Sequence, residues 1–352
     1  MQYNVAIIGQ SGVGKSSLIN YLFGEDIRKT GTGSAVTERG FHPISFKLEE
    51  LSVRVFDSWG LEPDKASEWM QDLEDTLSNR GTDQPAYKWI HSIFFCIAAP
   101  KFRVQDFELK IIKKLIKEKC PVTVLFTKAD NVSEEKIEKM RAEIYREFGS
   151  SVNTIKICSV KKATRRGTTE PFGKDNIKQE ISQHFKTTLI NRVPYRCLYL
   201  LKAYVNKWEE NEKLYFKNNI GLFNREKIYS KLLDDKYNFI KELNSGQIEN
   251  IIYNEILTII KIFDTISINL NLDSALPTTN LSQYHINNSL DKGDFVILAA
   301  ISIFPLTKIY MYTFNYEKLC NMLHVYTESI KKDLQNLVPK IREFIGIILD
   351  KS

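Results

Sequence analysis

The chain has 352 residues, enough for two domains of ordinary size, and at 43% hydrophobic and 26% charged it reads as a globular protein with a real core. Lys and Arg number 49 against 43 for Asp and Glu, a net charge of +6 that is spread along the chain and gives no strong nucleic-acid signal. No run reaches the roughly 18 uncharged apolar residues that a spanning helix needs, and the opening MQYNVAIIGQ lacks the basic lead and small-residue cleavage site of a secretory signal. The five cysteines (Cys96, Cys120, Cys158, Cys197, Cys320) are odd in number and widely spaced, with no C-x-x-C. They are expected to be free thiols in a reducing cytoplasm, with Cys96, Cys120 and Cys158 in or beside apolar strands.

In chain order, YNVAIIG (3–9) is a continuous apolar run, as a buried parallel strand should be. KSSLINYLFG follows as a helix closed by Gly24. FHPISFKLEE and LSVRVFD both alternate across a short turn at Glu49-Glu50, which predicts a hairpin at one side of a sheet. HSIFFCIAA, PVTVLFTK and NTIKICSV read as three more buried strands, with helices over 104–119 and 133–148 between them. This alternation predicts a mainly parallel sheet with helices on both faces. After about residue 188 apolar residues recur at three- and four-residue spacing among Lys and Glu, and glycine becomes sparse. The expected organisation is an α/β domain over 1–188 and an all-α domain over 189–352, the latter divided near Pro277.

The chemistry begins at GQSGVGKS, a G-x-x-x-x-G-K-S pattern between a strand and a helix. Gly9, Ser11, Gly12, Val13, Gly14, Lys15, Ser16 and Ser17 form the candidate phosphate loop. Its glycines let backbone N–H groups converge on phosphate oxygens, Lys15 reaches the outer phosphates, and the Ser16 hydroxyl suits Mg²⁺. The stretch VFDSWG reads either as an acidic turn ending a strand or as a phosphate sensor, with Asp57 facing a metal ion and the Gly60 amide on the last phosphate. Thr127-Lys128-Ala129-Asp130 ends an apolar strand. The Asp130 carboxylate can accept from the ring N–H and amino group of guanine, a pair that adenine lacks, while Lys128 can lay its stem over the base and touch the loop below.

GQSGVGKSSLIN, GTGSAVT, VFDSWGLE, TKAD and CSVKK together resemble the translation-factor-type P-loop GTPases, the HSR1/Era-like group in particular, over about the first 185 residues. The resemblance implies GTP or GDP and Mg²⁺ as ligands. It makes Thr37 the switch threonine that completes the Mg²⁺ shell, although Thr30 and Thr32 lie in the same polar loop. It also implies that Asp57 holds the ion through water and that Ser159 braces the guanine loop so that the Val160 amide meets the base oxygen. The candidate catalytic groups are then Lys15, Thr37 and Gly60. EPFGKDNIKQEI (170–181) is similar to the turn that opens the family's last helix.

Two positions depart from the family. Val160 stands where alanine is usual, a change that a backbone contact tolerates. Gly12 replaces the asparagine that recruits potassium in self-activating relatives. Leu61 follows Gly60, where a hydrophobic residue is common in the resembling family, and it cannot orient water. The expectation is a slow GTP-hydrolysing switch that controls a helical effector domain and is activated by a protein partner or a second copy. The alternatives are a dynamin-like GTPase with peripheral membrane contact, activated by assembly, and a nucleotide-gated binding module with negligible turnover. KKATRRG (161–167) carries four cations in seven residues and reads as a solvated loop or, alternatively, as a patch that steers nucleotide or touches an acidic surface. The uncharged stretch Phe295–Thr307 reads as a bundle helix or, alternatively, as a shallow membrane element. His42, His91, His184, His285 and His324 fit no metal-ligand spacing and read as structural.

Overall fold

The computed structural model describes residues 2–24, 41–48, 51–58, 66–164, 167–221, 224–272 and 315–350. Thr37, Gly60, Leu61 and the apolar stretch 294–312 lie outside the described residues. The chain divides into two compact units, Met1–Leu189 with Thr258–Leu276, and Ile190–Leu257 with Pro277–Ser352.

The first unit is built on a six-stranded sheet in the order β2-β3-β1-β4-β5-β6. Its strands are β1 (Gln2–Gly9), β2 (Phe41–Leu48), β3 (Leu51–Ser58), β4 (Ser92–Ala98), β5 (Val122–Thr127) and β6 (Asn153–Lys156). All neighbours run parallel except β2, which pairs antiparallel with β3 with Leu48 opposite Leu51. The central strands β1, β4 and β5 are covered on both faces, which explains their unbroken apolar sequences.

One face of this sheet packs against α2 (Ala66–Ser78), α3 (Asp106–Lys117) and α4 (Glu134–Phe148), joining Phe56, Phe95 and Phe126 to Trp69, Ile112 and Met140 in a single core. The other face receives α5 (Lys174–Asn191), where Phe185 meets Tyr3 and His91. Burying Asn4 inside β1 is tolerated because its side-chain amide donates to the carbonyls of Tyr87 and Trp89, and its backbone N–H donates to His91 Nδ1. His184 is fully enclosed between α5 and β5 beside Thr123 Oγ1 at 2.9 Å, and burial lowers its pKa to about 3, so it stays neutral.

Two expectations need revision. NTIKICSV is not a fully buried strand: β6 covers only Asn153–Lys156, lies at the sheet edge and exposes Asn153 and Lys156. Its open side is compatible with charge, and Lys156 pairs with Glu134 at 2.5 Å. KKATRRG is not simply a loop, because β7 (Lys162–Thr164) pairs antiparallel with β8 (Gly167–Thr169), and Lys161 is bridged to Glu170 at 2.6 Å.

The later part of the chain is helical in its described residues. It comprises α6 (Val193–Asn219), α7 (Arg225–Glu242), α8 (Ile248–Leu270), α9 (Tyr316–Gln335) and α10 (Leu337–Asp350). In the second unit, Phe216 of α6, Ile228 and Leu232 of α7, and Leu319 and Leu323 of α9 form one core cluster. Trp208 stacks on Phe239 at 4.4 Å between α6 and α7. The last turns of α8 fall in the first unit, where Phe263 meets Phe185. None of the described helices is long and apolar enough to cross a membrane.

Candidate nucleotide site

At the carboxyl end of the sheet, β1 gives way to the glycine loop, and α1 (Lys15–Phe23) begins directly after Gly14. The glycines have separable reasons. Gly9 has φ 151°, and a Cβ there would lie 2.4 Å from the Cys96 carbonyl oxygen of β4, so close strand packing excludes any side chain. Gly12 and Gly14, at φ 70° and 105°, face no such obstruction, and it is the left-handed turn that favours glycine there. The loop is closed by Val13 N–H donating to the Gln10 carbonyl, and α1 starts with Leu18 N–H donating to Gly14.

Lys15 is buried, and its ammonium donates to the carbonyls of Gly9 at 2.8 Å and Gln10 at 3.0 Å, which holds the cation over the loop. Ser16 and Ser17 follow in the first turn of α1, where the helix end carries partial positive charge suited to an anion. Beneath the loop, burial pushes the Cys96 thiol up to about 12, with Lys15 opposing weakly, so it is a packing group and not a nucleophile.

The Thr127–Asp130 turn is fastened to this loop across more than a hundred residues of sequence. Thr127 Oγ1 donates to the Val13 carbonyl at 2.6 Å and to Ile97 at 3.3 Å. Lys128 adopts a left-handed φ of 56° and donates from Nζ to the Gly12 carbonyl at 2.6 Å, so its stem spans the gap between the two motifs. Ala129 N–H donates to the Ile157 carbonyl, which ties the turn to the segment carrying Ser159. Cys158 is fixed by paired backbone hydrogen bonds with Phe172, and its thiol donates to the Val160 carbonyl at 3.3 Å.

The result is one cavity lined by Val13, Gly14 and Ser17, by Thr127, Lys128 and Asp130, and by Cys158, Ser159 and Val160. The structure therefore brings together the phosphate loop, the Thr127–Asp130 turn and the Ser159–Val160 pair. Ser11 sits exposed in the loop turn outside this lining. The backbone of Asp57 is set opposite Ile7, two residues before Gly9, by the parallel β1–β3 register. Cys158 and the Gln10 carbonyl were not singled out by sequence. Cys158 could have been found as the residue preceding Ser159, but a backbone carbonyl carries no sequence signal.

A family model described as a 50S ribosome-binding GTPase (MMR_HSR1) matches residues 4–128. GTPase Der from Jannaschia sp. is 28% identical over 137 residues, covering 39% of this chain and 27% of that protein. The probable GTP-binding protein EngB from Thermotoga petrophila is 28% identical over 171 residues, covering 47% of this chain and 81% of that one. The chain spans less than a third of the length of the Der relatives, at 27% and 32%. Among solved structures, Toc33 from Arabidopsis thaliana in complex with GDP and Mg²⁺ is 16% identical over 54% of this chain and 86% of that one, with a TM-score of 0.40, too loose a superposition for functional comparison. On the sequence matches and on the loop, turn and sheet order described above, the chain carries in its first half a P-loop GTPase domain of the HSR1/Era-like group, followed by a helical region.

Proposed function

We propose that this protein binds guanine nucleotide and hydrolyses GTP as a switch whose nucleotide state is read by the helical region. The observation that carries the reading is the double anchor of Thr127 on Val13 and Lys128 on Gly12, which sets Asp130 in one cavity with the phosphate loop. A carboxylate in one cavity with a phosphate cradle suits a guanine base joined through its sugar to phosphates. In this reading Asp130 accepts from the guanine ring N–H and amino group, the Lys128 stem covers the base, and the Val160 amide, braced by Ser159, donates to the base oxygen.

Gly9, Ser11, Gly12, Val13 and Gly14 supply the backbone that wraps the phosphates, and Ser17 extends it into α1. Lys15 exchanges its bonds to the Gly9 and Gln10 carbonyls for phosphate oxygens. The oxygen donors Ser16 and Asp57, completed by Thr37, fit a hard cation, and Mg²⁺ held there would supply charge to neutralise the phosphates. Gly60 and Thr37 sense the last phosphate, and its loss releases both loops. Leu61 can exclude water but cannot hydrogen-bond it, so basal hydrolysis is slow and the missing group comes from a protein partner or a second copy. Such a group raises rates by roughly 10³–10⁵.

Phosphate release measured against protein concentration, with GTP and ATP in parallel, tests this. A low, GTP-specific rate is expected, flat with concentration if a different protein activates the switch and rising steeply if a second copy does. Equal affinity for ATP would remove the guanine assignment. Tight GTP binding with no phosphate release would leave only a nucleotide-gated module.

A further inference from the structure

The nucleotide cavity has one lining side chain to which the chemistry above gives no role. Cys158 is 1% exposed and shares the cavity wall with Thr127, Lys128 and Asp130. Up to this residue the chain is fixed by its backbone. Ile157 N–H donates to the Phe126 carbonyl of β5 at 2.9 Å, and the Ile157 carbonyl accepts from Ala129 N–H of the Thr127–Asp130 turn at 3.1 Å. Cys158 N–H donates to the Phe172 carbonyl at 3.2 Å, and Phe172 N–H donates back to the Cys158 carbonyl at 2.9 Å.

Past Cys158 this framework stops. Among the described residues no main-chain hydrogen bond reaches Ser159 or Val160. The bond that does reach Val160 comes from the Cys158 thiol, which donates to its carbonyl at 3.3 Å. Val160 is 45% exposed, so packing of its side chain does little to hold it. A thiol is a weak donor, but this one is buried, where competition from water is least. It closes a three-residue turn. With Cys158 anchored at one end and the Val160 carbonyl at the other, the peptide plane that carries the Val160 N–H has few orientations left.

We propose, on the guanine reading above, that Cys158 is a positioning residue for base selection: with Ser159, it holds the turn so that the Val160 N–H faces the oxygen of an oxopurine. The two ends of the base are then read separately. Asp130 accepts from the ring N–H and the amino group, and the turn held by Cys158 donates to the base oxygen. Loss of the thiol therefore weakens binding chiefly where that oxygen is present.

The test compares GDP with 6-thio-GDP, which keeps the ring N–H and amino group but puts sulfur, a poorer acceptor, in place of the base oxygen. Affinities for the full chain are measured with Mg²⁺ by displacement of a fluorescent GDP analogue, for wild type, Cys158→Ala, Cys158→Val and Cys158→Ser. Wild type is expected to favour GDP. Cys158→Ala and Cys158→Val should each weaken GDP about fivefold, the size of one net hydrogen bond, and 6-thio-GDP less than about twofold. Cys158→Ser keeps a donor and should restore the preference for GDP. Both affinities are read on one variant, so a smaller folded fraction lowers them equally and leaves their ratio unchanged. Equal weakening of the two nucleotides would make Cys158 a packing residue and overturn the proposal. Undiminished preference for GDP in Cys158→Ala and Cys158→Val, or no restoration by serine, also overturns it while the guanine reading stands. Equal binding of GDP and ADP by wild type removes that reading, and the proposal with it.

Discussion

Replacing Glu209 by glutamine tests how the helical unit is held together. Glu209 lies on α6 and is 5% exposed. From its own helix Lys213 reaches it at 2.6 Å, and from α9 come Thr327 Oγ1 at 2.6 Å, His324 Nδ1 at 3.1 Å and Lys331 at 3.6 Å. Burial by itself would raise the carboxyl pKa, but the hydrogen bonds from Lys213, Thr327 and His324 outweigh it and hold the group at about 2, from an ordinary 4.5. That difference corresponds to about 3 kcal/mol. Screening at the partly exposed Lys213 and His324 reduces it to about 2 kcal/mol. Because the folded value is depressed, the stabilisation is complete above the unfolded pKa and is lost as pH falls towards the folded one. Glu209→Gln should therefore cost about 2 kcal/mol at pH 7, with the gap to wild type shrinking by more than half by about pH 3. Urea unfolding of the full chain at a series of pH values, followed by far-UV ellipticity, measures this. A gap of the same size at every pH would refute the ionic account and leave only lost packing.

Three further outcomes bear on the first unit, the last with a comparison position in the second. Asp130→Asn should weaken GTP binding and favour xanthine nucleotides, because the amide can donate to the carbonyl that replaces the guanine amino group; competition binding with both nucleotides checks it. Lys15→Ala should lower GTP affinity by at least about tenfold, the order expected for a lost charge-assisted contact, while the melting temperature without nucleotide changes little; unchanged affinity in a titration would make the loop merely structural. Gly9→Ala should destabilise the fold by roughly 2 kcal/mol or more through its collision with the Cys96 carbonyl. Gly346→Ala, which meets nothing within 4 Å in α10, should be neutral or stabilising by up to about 1 kcal/mol, and paired denaturant curves compare the two.

Much of this protein was legible in its sequence because the decisive signals are local. Unbroken apolar runs in β1, β4 and β5 follow from burial on both faces, and alternation on either side of Glu49-Glu50 follows from the pleat. The glycine loop and Thr127–Asp130 are short patterns with fixed chemistry, which is why candidate site residues 114 and 116 positions apart could be named before their carbonyl–side-chain anchors were seen. Other features depend on which neighbour a strand or helix receives. The exposure of β6 comes from its place at the sheet edge, and a four-residue strand cannot announce that it ends the sheet. The hairpin at Lys162–Thr169 arises from pairing between two polar tripeptides with no apolar pattern to betray it. Glu209 reads in sequence as one more charge on an amphipathic helix. Only the arrival of α9, more than a hundred residues later, buries it and surrounds it with donors. The same packing places Tyr326 beside Lys236. Periodicity specifies which residues share a helix face, but the partner that covers the face, or leaves it bare, is set by contacts between segments far apart in the chain.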